Sequence, residues 1–76
     1  MRPDFIVRQR ETKDGVLQVF IPAIPGAQEW MIANTIESER QLVSAQLTAE
    51  RAAEFRAEAK SAGFKFSDEM LQPRTA

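Results

Sequence analysis

The chain has no cysteine and no histidine, and these two gaps exclude more chemistry than any other feature of its 76 residues. Without thiols there are no disulfides and no thiolate nucleophiles. Without imidazoles the usual zinc ligand sets and histidine acid–base catalysis are gone as well. A cysteine-free chain is compatible with a reducing cytoplasm. Glycine is sparse: Gly15, Gly26 and Gly63 stand alone, so there is no phosphate cradle, dinucleotide fingerprint or EF-hand loop. No apolar run approaches the length of a membrane span. The opening residues, MRPDFIVRQRE, have no apolar stretch behind their arginines, which predicts a soluble, unexported, cytoplasmic chain. Neither sign of charge dominates. Ten basic against eleven acidic residues give a net charge of −1, which argues against a broad electrostatic grip on nucleic acid and leaves a local one open. With no repeat, low-complexity run or linker, residues 1–76 read as one domain, near the lower size limit for folding unaided.

What is present centres on Thr48 to Gly63, where periodicity, cap and stop signal agree on an α-helix. At 100° per residue, Ala49, Ala52, Phe55, Ala59 and Ala62 share a stripe, while Glu50, Arg51, Glu54 and Glu58 fall opposite. Thr48 supplies an N-cap oxygen, Glu50 puts negative charge in the first turn, and Gly63 tolerates a left-handed exit. The stripe is mostly methyl groups, so it needs a larger apolar surface from upstream.

Phe5 to Glu11 and Val16 to Ala23 supply that surface as two strands around Thr12-Lys13-Asp14-Gly15, a hairpin signal. A three-residue loop, Lys13-Asp14-Gly15, pairs Thr12 with Val16 and gathers Phe5, Val7, Leu17, Val19 and Ile21 on one face. Ile6, Arg8, Arg10, Thr12, Val16, Gln18 and Phe20 take the other. A two-residue Asp-Gly turn scrambles both faces, so the three-residue loop is preferred. Pro22, Pro25 and Gly26 end the second strand.

Glu29 to Leu47 admits two readings. One is a pair of short strands, Trp30 to Ile36 and Gln41 to Gln46, turning at Glu37 to Arg40. The other is a helix from Ser38, with capping-box spacing to Gln41, running on to Gly63. Strands are favoured by the concentration of Trp, Ile, Thr and Val. After Gly63, Phe64 is expected to contact the last helical turn near Ala59, and Phe66 to reach the sheet edge. Residues 72–76 are expected to form a disordered tail.

No histidine is present to activate a serine or threonine, and Lys13, Lys60 and Lys65 sit where solvated lysines usually sit. Glu50, Glu54 and Glu58, one turn apart, read as a solvated helix face interleaved with Arg51 rather than a cation site. Enzymatic activity, a metal, a cofactor and a small-molecule substrate are therefore not expected. Arg8 and Arg10 alternate onto one hairpin face, with Arg2 and Lys13 near its ends; a basic two-stranded ribbon of this kind enters a major groove. Asp4, Glu11 and Asp14 on the same hairpin favour the plainer reading of a solvated sheet face. Phe20, Trp30 and Met31 are the large apolar groups not assigned to the core. Trp30 beside Met31 suits an anchor for a protein partner, against the plainer reading that it fills space left by the helix alanines.

The expected fold is α+β: a small antiparallel sheet, an N-terminal β-hairpin plus one or two further short strands, packed against a C-terminal α-helix. The expected function is a non-catalytic protein–protein interaction module, self-associating or bound to another protein, of the size of phage or mobile-element inhibitors of host complexes. Its contacts would come from Arg8, Arg10, Lys13, Phe20, Trp30 and Met31. The alternative is a nucleic-acid-binding β-ribbon using Arg8, Arg10 and Lys13.

Overall fold

The computed structural model describes residues 3–68. Strand β1 (Phe5–Thr12) turns into β2 (Gly15–Pro22), and helix α1 (Pro25–Ala33) follows. A 3₁₀ turn (Glu37–Glu39) leads to the short strands β3 (Arg40–Gln41) and β4 (Ser44–Leu47), then helix α2 (Ala49–Ser61) and strand β5 (Phe66–Asp68). The strands form one sheet in the order β3-β4-β2-β1-β5. The α+β architecture is the expected one, a hairpin with the later helix packed across it. The sheet is mixed, because β5 pairs with β1 in parallel. Helix α2 carries the chain from β4 past β2 and β1 to the far edge, a crossover long enough to permit that direction. The expectation for residues 72–76 lies outside the described residues. Among the described residues no helix is long and apolar enough to cross a membrane.

The hairpin register differs from the expected one, and the difference decides which side chains are buried. Thr12 pairs with Gly15 rather than Val16, so the loop is Lys13-Asp14 and Gly15 opens β2 at φ 131°. Thr12 ties this turn locally: its Oγ1 donates to the Gly15 carbonyl at 2.8 Å and accepts from the Asp14 amide at 3.3 Å. Side chains alternate along a strand, so a slip of one residue turns all of β2 over. Phe20, opposite Val7, faces the helices and is fully buried, whereas Leu17, Val19 and Ile21 face away. The reason is volume. Ala27, Ala45, Ala52 and Ala59 leave space that rings fill better than branched aliphatics, and Phe20 meets Phe55 at 4.7 Å between centroids.

Helix α1 replaces the expected strand at Trp30 to Ile36. Pro25 stands at its first turn, where its fixed φ suits a helix and its missing N–H is not needed. Ala27 and Met31, four residues apart, are buried beneath it. Tertiary burial of that one stripe outweighs the β-preference of Trp30 and Ile32, and residues 34–36 leave the helix in a bend rather than a strand. The second expected strand, Gln41 to Gln46, is broken by a turn at Leu42-Val43 into the antiparallel pair β3 and β4, and no helix starts at Ser38, which lies in the 3₁₀ turn.

Helix α2 begins and ends as its sequence predicts. Thr48 Oγ1 accepts from the Arg51 amide at 3.4 Å, and Ala52, Phe55 and Ala59 are buried, whereas Ala49 and Ala62, at the two ends of the expected stripe, are exposed. At its end the Gly63 amide donates to the Lys60 carbonyl and the Phe64 amide to that of Ala59, with Gly63 at φ 94°. This is the paired 5→2 and 6→1 bonding of a Schellman stop. Phe64 and Phe66 then pack on the core, and β5 is drawn to the sheet by Asp4, whose carboxylate accepts from the Lys65 amide at 2.8 Å.

All six aromatic residues of the chain belong to one cluster. Phe5 is its hub, touching Trp30, Phe55, Phe64 and Phe66 at centroid distances of 6.4, 5.5, 5.7 and 5.5 Å. Arg56 closes one side, its guanidinium 5.4 Å from the Phe20 ring and 5.3 Å from that of Phe66, while donating to Gln18 Oε1.

The β3–β4 turn holds Leu42 at φ 55°, a left-handed conformation that costs a non-glycine residue about 1–2 kcal/mol, and the side chain is 97% exposed. Replacing Leu42 by glycine removes that strain at the cost of a looser unfolded chain, for an expected net gain of about 0.5–1 kcal/mol. A thermal melt should show a Tm several degrees higher; a lower one would mean that Leu42 stabilises the turn through contacts of its side chain.

Candidate functional site

Both helices lie on one side of the sheet. Ala27 and Met31 of α1 and Ala52 and Phe55 of α2 meet Phe5, Val7, Phe20, Ala45 and Leu47 in a single core. The side chains that alternate with these strand residues therefore point to the opposite face, which no other described element of the chain covers.

That open face has a simple layout. Ile6 is directly opposite Ile21, Arg8 opposite Val19 and Arg10 opposite Leu17, so β1 contributes one isoleucine and two arginines beside an aliphatic row on β2. Ile6, Leu17, Val19 and Ile21 are all half-buried, by their neighbours on the face rather than by a covering layer. On the far side of β2, Gln46 is opposite Val19, and its Oε1 accepts from Arg10 Nη1 at 3.0 Å. Gln46 also bonds the side chain of Gln41. Ser44 and Ser67 complete the face at β4 and β5. Among the described strand residues this face carries two arginines and no carboxylate, although the chain as a whole is slightly acidic.

The residues singled out from the sequence fall into three groups. Arg8 and Arg10 are exposed and together on the open face, and Lys13 is exposed in the loop at the hairpin's end. Phe20 and Met31 are 0% and 1% exposed, so in the folded chain they are core residues and offer a partner no surface. Trp30 is half-buried against Phe5, Phe55 and Phe64, where it fills the space beside the small helix residues, and its outer edge lines a shallow groove with Asn34, Ala57, Glu58 and Ser61. Sequence reasoning missed Leu17, Val19 and Ile21 as surface groups. The only signal that could have exposed them was the register of a four-residue turn.

The carboxylates are placed elsewhere. Glu39 and Arg51 form a partly buried ion pair at 2.9 Å between the 3₁₀ turn and α2, and Arg51 Nη2 also donates to the Asn34 carbonyl at 2.7 Å. Glu50, Glu54 and Glu58 are exposed along α2, with Glu54 3.5 Å from Arg51. Among the described residues no three carboxylates converge closely enough to hold a metal ion.

Fold and face together define a class, a two-layer domain with helices on one side of a five-stranded mixed sheet and no described element on the other. No family model matches the chain, and comparison with curated proteins and with solved structures returns no match.

Proposed function

We propose that this chain is a non-catalytic, cytoplasmic protein-binding module whose docking surface is the open face of the sheet. The observation that carries this reading is the aliphatic patch formed by Ile6, Leu17, Val19 and Ile21, contiguous across β1 and β2 and left uncovered by both helices. Bare aliphatic sheet faces are stabilised by a second layer, and this chain puts both of its helices on the other side. The lack of histidine and cysteine supports a role without catalysis. A module that only occupies a partner's surface acts by blocking it, which is how a small inhibitor works.

The nucleic-acid reading draws on Arg8 and Arg10 sharing the face. It is the weaker reading, because all six rings are committed to the cluster on the other side of the sheet and none is offered for base stacking.

The test is comparative capture from a lysate of the source organism. Replacing Val19 and Ile21 by threonine keeps β-branched residues in the strand and removes the aliphatic surface. The wild-type chain should retain proteins that the double variant does not, while Glu58→Lys, on the helix side, should retain them all. Equal capture by all three chains would sink the proposal.

A further inference from the structure

We propose that the groove between α1 and α2, on the helix side of the molecule and away from the open sheet face, binds a small organic cation, an alkylammonium or alkylguanidinium compound. The groove follows from the spacing of residues on the two helices. Trp30 and Asn34, four residues apart, line it from the end of α1, and two pairs of the same spacing, Ala57 with Ser61 and Glu58 with Ala62, line it from α2. Three of those four α2 residues are alanine or serine. They are too small to close against the indole, and an open space of about 510 Å³ remains. Small-molecule sites run from about 300 to 1,000 Å³.

The lining selects a positive charge carried on an apolar stem. Glu58 is its one ionised group: no lysine or arginine lines the groove, and the Glu58 carboxylate has no ion pair or hydrogen bond among the described residues. Lys60, in the same turn, is exposed and outside the lining. Asn34 adds a neutral acceptor, because its Nδ2 already donates to the Trp30 carbonyl at 2.8 Å and Oδ1 is what remains. Glu58, Ser61 and Ala62 fall at the C-terminal end of α2, where backbone carbonyls concentrate partial negative charge. Trp30, half-buried, supplies an aromatic wall that attracts cations. The methyl groups of Ala57 and Ala62 give an alkyl stem its apolar contact. An anion would meet Glu58 and the helix end with the wrong sign, and a neutral compound would gain nothing from either.

The experiment titrates the full ¹⁵N-labelled chain with four probes that share a butyl stem: butylguanidinium, butylammonium, butanol and butyrate. Amide shifts are followed together with the emission of Trp30, the only tryptophan. Both cations should give saturable shifts at Trp30, Asn34 and Ala57 to Ala62, change the indole emission, and bind about tenfold tighter than butanol. Butyrate should give no shift. Glu58→Gln, isosteric and at an exposed position, should melt as the wild type does and weaken both cations about fivefold while leaving butanol unchanged. Glu50→Gln, on the same helix but outside the groove, should change nothing. Equal weakening by the two variants would mean a diffuse attraction to an acidic helix and overturns the site. Butanol binding as tightly as the cations, or no saturable shift with either cation, overturns it as well. If an arginine-containing peptide shifts these amides and butylguanidinium does not, the groove docks a protein segment and the small-molecule site is overturned. The V19T/I21T double variant should bind both cations as the wild type does, so the result is independent of the open sheet face.

Discussion

Phe5→Ala is expected to destabilise the fold by about 3–5 kcal/mol, the range for removing a fully buried aromatic ring. Phe5 is 0% exposed and is the ring through which α1, α2 and β5 meet: Trp30 comes from the first, Phe55 from the second and Phe66 from the third. Alanine leaves a cavity bordered by four other rings, none of which can shift far without leaving its own neighbours. A chain of this length has a total stability of only about 4–11 kcal/mol, so the variant is expected to be largely unfolded at 37 °C. Trp30, the only tryptophan, reports directly: its emission should move to the red, and a urea titration should show a far lower midpoint at unchanged slope. Phe5→Leu should recover more than half of the loss. A cost below about 1.5 kcal/mol for the alanine variant would show that the ring cluster closes over the gap and that Phe5 is not its hub.

Arg51→Ala is the second large effect, for a different reason. The guanidinium joins three segments at once, pairing with Glu39 of the 3₁₀ turn, donating to the Asn34 carbonyl at the end of α1, and itself belonging to α2. Its side chain is 28% exposed and that of Glu39 16%, so water screens this pair less than an ordinary surface pair. Hydrogen bonds to charged groups contribute about 1.5–3 kcal/mol where they are sheltered, and the expected loss is of that size, a fall in Tm of roughly 10 °C. Glu39→Gln tests the ion pair apart from the carbonyl contact. Glutamine can still accept from the Ile36 amide, as Glu39 Oε1 does at 3.0 Å, so its cost should be smaller. If the double variant loses no less than the two single losses added together, Arg51 and Glu39 act independently and the link between the 3₁₀ turn and α2 lies elsewhere.

The two effects mark how much of the fold was legible in the sequence. Helix α2 was readable at both ends and in the middle of its stripe, since the Thr48 cap and the Gly63-Phe64 stop each act within about one turn of the residues they bond and Ala52, Phe55 and Ala59 repeat at helical spacing. The hairpin was readable as a hairpin. Its register was not, because the Lys13-Asp14 loop sets Arg8 and Arg10 opposite Val19 and Leu17, a mixing of polar and apolar side chains on one face that alternation alone argues against. Helix α1 was hidden for a related reason: Trp30 and Ile32 favour a strand locally, and only the burial of Ala27 and Met31 against the sheet makes a helix of them.

The candidate face inherits that ambiguity. Arg8 and Arg10 could be assigned to a common face from alternation alone, whichever loop formed. Whether their neighbours on β2 were Val16, Gln18 and Phe20 or Leu17, Val19 and Ile21 turned on a single residue of register.

By itself, then, the sequence determined what short-range physics controls: the start, stop and buried stripe of α2, the existence of the opening hairpin, and the absence of thiol and imidazole chemistry. The tertiary structure alone decided which side of β2 is inside. That choice depends on fitting Phe5, Phe20 and Phe55 into the space left by alanines from three separate elements, and a volume shared among segments far apart in the chain leaves no local pattern to read.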